Sequence, residues 1–173
     1  AKACYSLGRL ELNRGEHELA EEYLCRALAG FQETEDRVSE SFVRLALAVL
    51  HLDKNSVDSA YFELELARDL FRSDTFASVK VFYSVARILA DLSAGENADE
   101  RVNTLCGLLA GIDSKGVSRL RGVGYCVACL ASAMSGSASA MTQNLRFAEE
   151  ELQDVSEEGE GAAFLRLARA AVE

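Results

Sequence analysis

The sequence predicts an all-α fold in which tandem antiparallel helix pairs stack as an α-solenoid, and three observations carry that prediction. The first is internal repetition. KACYSLGRL at Lys2 to Leu10 returns as KVFYSVARI at Lys80 to Ile88. Between them Leu7 falls on Leu47, Gly8 on Ala48, Ala20 on Ala60, Leu24 on Leu64, Ala27 on Ala67 and Phe31 on Phe71, a spacing of about 40 residues. The second is composition. The 173 residues include no proline and are rich in Ala, Leu, Glu and Arg, the residues that cost a helix least. The third is period: Leu19, Ala20, Tyr23, Leu24, Ala27 and Leu28 recur at the three-and-four spacing of an amphipathic helix.

Each unit divides by its own punctuation. Leu7, Leu10 and Leu12 lead into Asn13-Arg14-Gly15, a glycine stop, and a second helix begins near Glu16 with acidic residues in its early turns, where the helix dipole favours them. Asp53-Lys54-Asn55-Ser56 makes the second turn, Ser93-Ala94-Gly95 the third and Ser135-Gly136-Ser137 the fourth. The helices run over about 1–14, 16–33, 38–53, 56–72, 75–93, 96–110, 115–135, 138–154 and 160–172. They group into one solenoid with repeats at about 1–36, 37–74, 75–113 and 114–157 and the start of a fifth at 158–173. Small residues at Gly8, Ala48, Ala86, Ala128 and at Ala20, Ala60, Ala98 let paired helices approach, with Leu7, Leu24 and their equivalents filling the remaining space. Ala1-Lys2-Ala3 offers no cap and Phe164, Leu165, Leu167 and Ala168 leave the last helix apolar. The expectation is a segment of a longer array, or self-association through that exposed terminal helix.

Charge narrows the function. A net charge of −10 argues against direct nucleic-acid binding, which needs clustered Lys and Arg. The acidic stretches Gln32 to Glu40 and Glu149 to Glu160 read as solvated surface. No run approaches the ~20 apolar residues of a membrane span, and no signal-peptide pattern opens the chain, so the expectation is a cytoplasmic protein without a membrane partner. Five cysteines, an odd number, fit a reducing compartment. Cys126 and Cys129 form a lone C-x-x-C inside an apolar helical run with no second pair or His beside it, so packing is expected in place of metal or redox chemistry. His17 and His51 lack a nucleophile partner, and no phosphate loop is present. The sequence calls for no enzyme activity, cofactor or metal.

Leu7-Gly8, the turn glycine Gly15, then Ala20, Leu24 and Ala27 resemble the tetratricopeptide repeat. The resemblance is strong over 1–72, moderate over 79–110 and weak after 115. The chain departs from that family in lacking the closing proline, in placing Cys4 or Arg44 where an early aromatic is expected, and in its longer repeat, which looks like those of bacterial signal-responsive transcription regulators and of some scaffold proteins. The resemblance implies a right-handed superhelix whose first helices line a concave face. On that basis the face carries Lys2, Tyr5, Arg9 and Asn13, then Phe42, Leu45, Val49 and Asp53, then Lys80, Tyr83, Arg87 and Asp91, then Gly122, Tyr125, Cys129 and Ala133, and finally Ala162, Leu165 and Arg169. Three tyrosines and three arginines around an apolar patch suit a protein or peptide with apolar anchors and acidic groups. The alternative is that Tyr5 and Tyr83 pack on neighbouring helices while Arg9 and Arg87 pair with local carboxylates. Tyr5, Arg9 and Leu45 stand where the family's carboxylate clamp has Lys and Asn, which disfavours chaperone tails. The expected function is a protein-interaction scaffold, and the alternative is a ligand- or peptide-sensing segment of a larger regulator.

Overall fold

The computed structural model describes residues 1–71, 76–112, 118–153 and 160–172, with side chains at 118, 119 and 160–163 left aside. Nine helices and no strand occur among the described residues: α1 (Lys2–Asn13), α2 (His17–Glu33), α3 (Arg37–Asp53), α4 (Val57–Asp69), α5 (Ala77–Ser93), α6 (Asp99–Ala110), α7 (Ser118–Met134), α8 (Ala138–Leu152) and α9 (Glu160–Ala170). Their bounds follow the expected ones closely; the ends expected at 72, 75, 115 and 154 lie outside the described residues.

The turns explain why the helices stop where they do. At Gly15, Glu35, Asn55 and Gly136 the chain takes a positive φ, at 76°, 53°, 56° and 76° respectively. Around each, the same two hydrogen bonds close the preceding helix. Glu16 N–H donates to Glu11 O and Gly15 N–H to Leu12 O; the pattern returns as Asp36 to Phe31 with Glu35 to Gln32, Ser56 to His51 with Asn55 to Leu52, and Ser137 to Ser132 with Gly136 to Ala133. This is the Schellman closure, which satisfies carbonyls that a helix end leaves without a partner. Three of the four turns carry the expected Gly or Asn. The fourth, at Glu35, holds a side chain in the left-handed region and was legible only as a polar connector.

The chain forms two compact units, Ala1–Ala94 and Gly95–Glu173. The boundary falls inside the third expected pair, so α5 belongs to the first unit and α6 to the second. In the first unit α1 pairs with α2 and α3 with α4, and each pair receives the next first helix. Ala20, Leu24, Ala27 and Phe31 of α2 pack against Val43, Leu47 and Leu50 of α3, with Cys4, Tyr5 and Leu12 at the edge. The next layer joins Leu45 and Ala48 of α3 and Leu64 and Ala67 of α4 to Val79, Ala86 and Ala90 of α5. The small residues work as expected: a Cβ on Gly8 would stand 2.8 Å from Leu24 Cγ, and Ala20 and Ala60 are fully buried. Leu7 does not fill space beside them. It is 41% exposed, because α1 turns that side away from α2 and no described helix covers it.

In the second unit α7 is the central helix, packed by α6, α8 and α9. Gly122 lies against the Leu152 side chain and Gly124 against Leu109, so bare backbone on α7 admits large residues from α8 and α6. A polar chain crosses this core: Cys106 Sγ donates to Asn144 Oδ1 (3.4 Å), and Asn144 Nδ2 donates to Ser132 Oγ (3.4 Å). On α9, Ala168 is buried while Phe164 and Leu165 are half-buried, leaving Leu167 as the open apolar side chain of the four expected there.

Candidate functional site

Lys2, Tyr5 and Arg9 share one side of α1, at i, i+3 and i+7. Tyr5 rests on the α2–α3 core and its phenol is pushed up by burial, an effect the neighbouring Arg9 partly offsets. The Arg9 guanidinium stands 5.8 Å from the Tyr5 ring centroid, a cation–π arrangement. Lys2 is exposed and lies near enough to Asp36 to add to the lowering of its carboxyl pKa, most of which comes from hydrogen bonds from Ser39. Among the described residues Lys2, Arg9 and Lys80 form no ion pair, although Arg14, Arg26, Arg44, Lys54, Arg68 and Arg87 each hold a carboxylate.

Next along the unit the structure changes the register of the third copy. Its turn glycine, Gly95, follows Gly15 by 80 residues, and α5 begins and ends 40 residues after α3. The Tyr5 to Tyr83 match that set the sequence frame is two residues short of this. By the helices' own frame Phe42 corresponds to Phe82, Leu45 to Val85 and Val49 to Leu89. Phe42 and Phe82 meet edge to face, with centroids 6.0 Å apart and planes at 77°. Phe82 remains 40% exposed, and Val38, one turn before Phe42, is 39% exposed. Phe82 was missed in the sequence; aligning turn glycine with turn glycine would have found it.

Residues expected beside Phe42 stand elsewhere. Leu45 is buried in the α3–α4–α5 core and so does not line an open surface as expected; Val49 is half-buried and packs against that core, as Phe42 itself does. Tyr83 packs edge to face on Phe71, at 5.3 Å. Arg87 takes the place that Leu47 holds one copy earlier and faces α4: Nη1 donates to Glu65 Oε1 (2.8 Å), Nε to Asp91 Oδ1 (3.2 Å), and the guanidinium lies 4.6 Å from the Tyr61 ring centroid. Tyr61 O–H also donates to Asp91 (3.0 Å), whose carboxylate is 1% exposed. A charged network thus replaces the leucine contact of the preceding layer, and the local pairing weighed as the alternative for Arg87 describes its surroundings. A second network joins α3 to α4, with Arg44 between Glu40 (2.9 Å) and Glu63 (3.0 Å); Glu40, expected in a solvated acidic stretch, is held inside it.

The remaining candidates lie in the second unit. Tyr125 is buried, tilted against Phe147 at 5.1 Å, with its phenol pushed up by burial. Arg169 is exposed and pairs with Glu149 (2.8 Å), and Leu165 is half-buried; Ala162 lies outside the described side chains. Cys126 and Cys129 are fully buried on α7, and the Cys126 thiol is pushed up to about 12, first by burial and then by Cys129. Such thiols stay protonated and behave as apolar packing. No group of three or more His, Cys, Asp or Glu poised to hold a metal occurs among the described residues. No helix among them is long and apolar enough to cross a membrane. No family model matches the chain, and neither does any curated protein or solved structure.

Proposed function

We propose that the chain is a protein-interaction scaffold, a right-handed tetratricopeptide-like solenoid that holds a peptide or helix of a partner protein against the first helices of its first unit. Catalysis plays no part in this reading, and a reducing, cytoplasmic setting is supported by five cysteines that are all free. The observation that carries it is the Phe42–Phe82 pair. Two partly open aromatic rings stand at equivalent positions of successive copies, with Val38 one turn before Phe42 and, on α1, the cations Lys2 and Arg9, neither of which forms an ion pair among the described residues. Apolar anchors and cations carried by the first helices of one unit suit a segment with aromatic or aliphatic side chains and acidic groups.

A photo-crosslinking residue placed at Phe82 tests it, with Phe62 of α4, 63% exposed and on a second helix, as the control position. The expected result is one partner captured from position 82 and not from position 62, with capture lost in an Arg9→Glu variant of unchanged helical content. Equal capture from both positions, or capture indifferent to Arg9→Glu, would defeat the proposal.

A further inference from the structure

The two seats that receive first helices in the first unit cannot be told apart by their apolar residues. α2 presents Ala20, Leu24, Ala27 and Phe31 to α3, and 40 residues on the same types, Ala60, Leu64, Ala67 and Phe71, stand in and just after α4, the helix that receives α5. The helices that ride on them are of one length, 17 residues. Apolar contact alone would let α5 take the seat of α3, on its own chain or on a second copy, and tandem repeats misassemble along such routes.

What differs is polar, and it differs on both sides of each contact. Beside the α4 seat stand Tyr61 and Glu65: Tyr61 O–H donates to Asp91 Oδ1 of α5 at 3.0 Å, and Arg87 Nη1 of α5 donates to Glu65 Oε1 at 2.8 Å. Beside the α2 seat the same positions are Glu21 and Cys25, and α3 brings His51 and Leu47 in place of Asp91 and Arg87. Leu47 is 3% exposed in the α2–α3 core. The Glu21 carboxyl pKa is held down chiefly by a hydrogen bond from Lys54, and His51 lies close enough to add to the effect. Crossing the partners breaks both sets. With α5 on α2, Arg87 would meet Cys25 in place of a carboxylate and Asp91 would face Glu21; with α3 on α4, Leu47 would cover Glu65 and His51 would stand at Tyr61. Asp91 is 1% exposed, so water would do little to screen it from a facing carboxylate.

We propose that the Arg87–Glu65 and Asp91–Tyr61 contacts are a pairing code, which admits α5 to α4, bars it from the apolar-equivalent seat on α2 and so keeps the copies in chain order. Buried polar contacts of this kind add little net stability and reject wrong partners strongly. The code joins α4 to α5 and does not depend on the Phe42–Phe82 surface.

Exchanging the code between the two seats tests it in the full chain without altering composition. One variant exchanges the seat residues, Glu21→Tyr and Cys25→Glu with Tyr61→Glu and Glu65→Cys. A second exchanges those of the riding helices, Leu47→Arg and His51→Asp with Arg87→Leu and Asp91→His, and a third carries both sets. The first and second are each expected to lower the thermal midpoint by about 5 °C or more, or to abolish cooperative unfolding, and the third to recover at least half of that loss. A midpoint unmoved by either single exchange would overturn the proposal. So would a third variant that recovers less, since position in the fold, and not the match between partners, would then decide.

Discussion

Asp36 closes the N-terminus of α3 by accepting from the Ser39 backbone N–H at 3.1 Å and the Ser39 hydroxyl at 2.7 Å. Those bonds favour the ionised carboxylate and hold its pKa below the ordinary 3.8. Because the folded value is the lower one, the stabilisation is full above pH 3.8 and is lost as pH falls through the folded value. Asp36→Ala is expected to cost about 1 kcal/mol at neutral pH by urea denaturation. The gap from the native chain should shrink at pH 3, and a gap constant with pH would show that the charge is not what caps the helix. Cysteine reactivity separates along similar lines. Cys25 is exposed while Cys126 and Cys129 are buried, with the Cys126 thiol raised to about 12. A thiol reagent at pH 8 should modify Cys25 in the native protein and reach Cys126 and Cys129 only as the protein unfolds; native-state labelling of Cys126 at a rate near that of Cys25 would contradict the packing of α7. At this scale the sequence reported burial well for small residues such as Ala20 and Ala60 and for Leu24, and less well for Leu7, which is exposed, and Leu45, which is buried. It reported Glu40 and Asp91 badly, because a carboxylate goes inside only where Arg44, or Arg87 with Tyr61, meets it, and those meetings are set by packing between helices.

The helical hairpin is the element in which sequence and structure agree most closely, since its signals are local: an apolar stripe, a turn residue able to take a positive φ, and small residues at the crossing. Gly15→Ala leaves free space around the new methyl but forces it into the left-handed region at φ +76°, and is expected to cost about 1 kcal/mol. Glu35→Gly should act in the opposite sense and raise the thermal midpoint, since glycine relieves the φ of +53° without removing a hydrogen bond assigned to that side chain. Ala60, on α4, is fully buried, so Ala60→Leu is expected to overpack the α3–α4 pair by about 1–3 kcal/mol. A melt unmoved by Ala60→Leu would show that the pair can open at no cost. What the hairpin's sequence could not reveal was how far one first helix is offset from the next. Matching Tyr5 to Tyr83 and matching Gly15 to Gly95 differ by two residues, and two residues turn a helix by more than half a revolution. That rotation moved Arg87 from an expected open face to the α4 side and brought Phe82 beside Phe42.

For the whole chain, an excess of ten negative charges sets up self-repulsion that ion pairs relieve only locally, and several of the pairs among the described residues lie on exposed surface. Raising the salt from about 10 mM to about 150 mM shortens the screening length severalfold. Thermal unfolding followed by circular dichroism should then shift upward by a few degrees, and a downward shift would mean that the Arg44 and Arg87 networks outweigh the repulsion. The candidate binding surface was the least legible part of the sequence, because openness depends on what neighbouring helices cover: Leu45 and Tyr125 are hidden by α5 and Phe147, whereas Leu7 and Leu10 are left open for want of a neighbour. The Schellman closures at Gly15, Glu35, Asn55 and Gly136 also make the polypeptide divisible. Since α3 and α5 are both 17 residues long and start 40 residues apart, excising 37–76 would splice Asp36 directly to Ala77 and deliver α5 onto α2 in the phase α3 now occupies; the turn would survive the deletion, and the misfit carried into the seam would be Arg87, set where Leu47 meets α2 and parted from Glu65 and Tyr61.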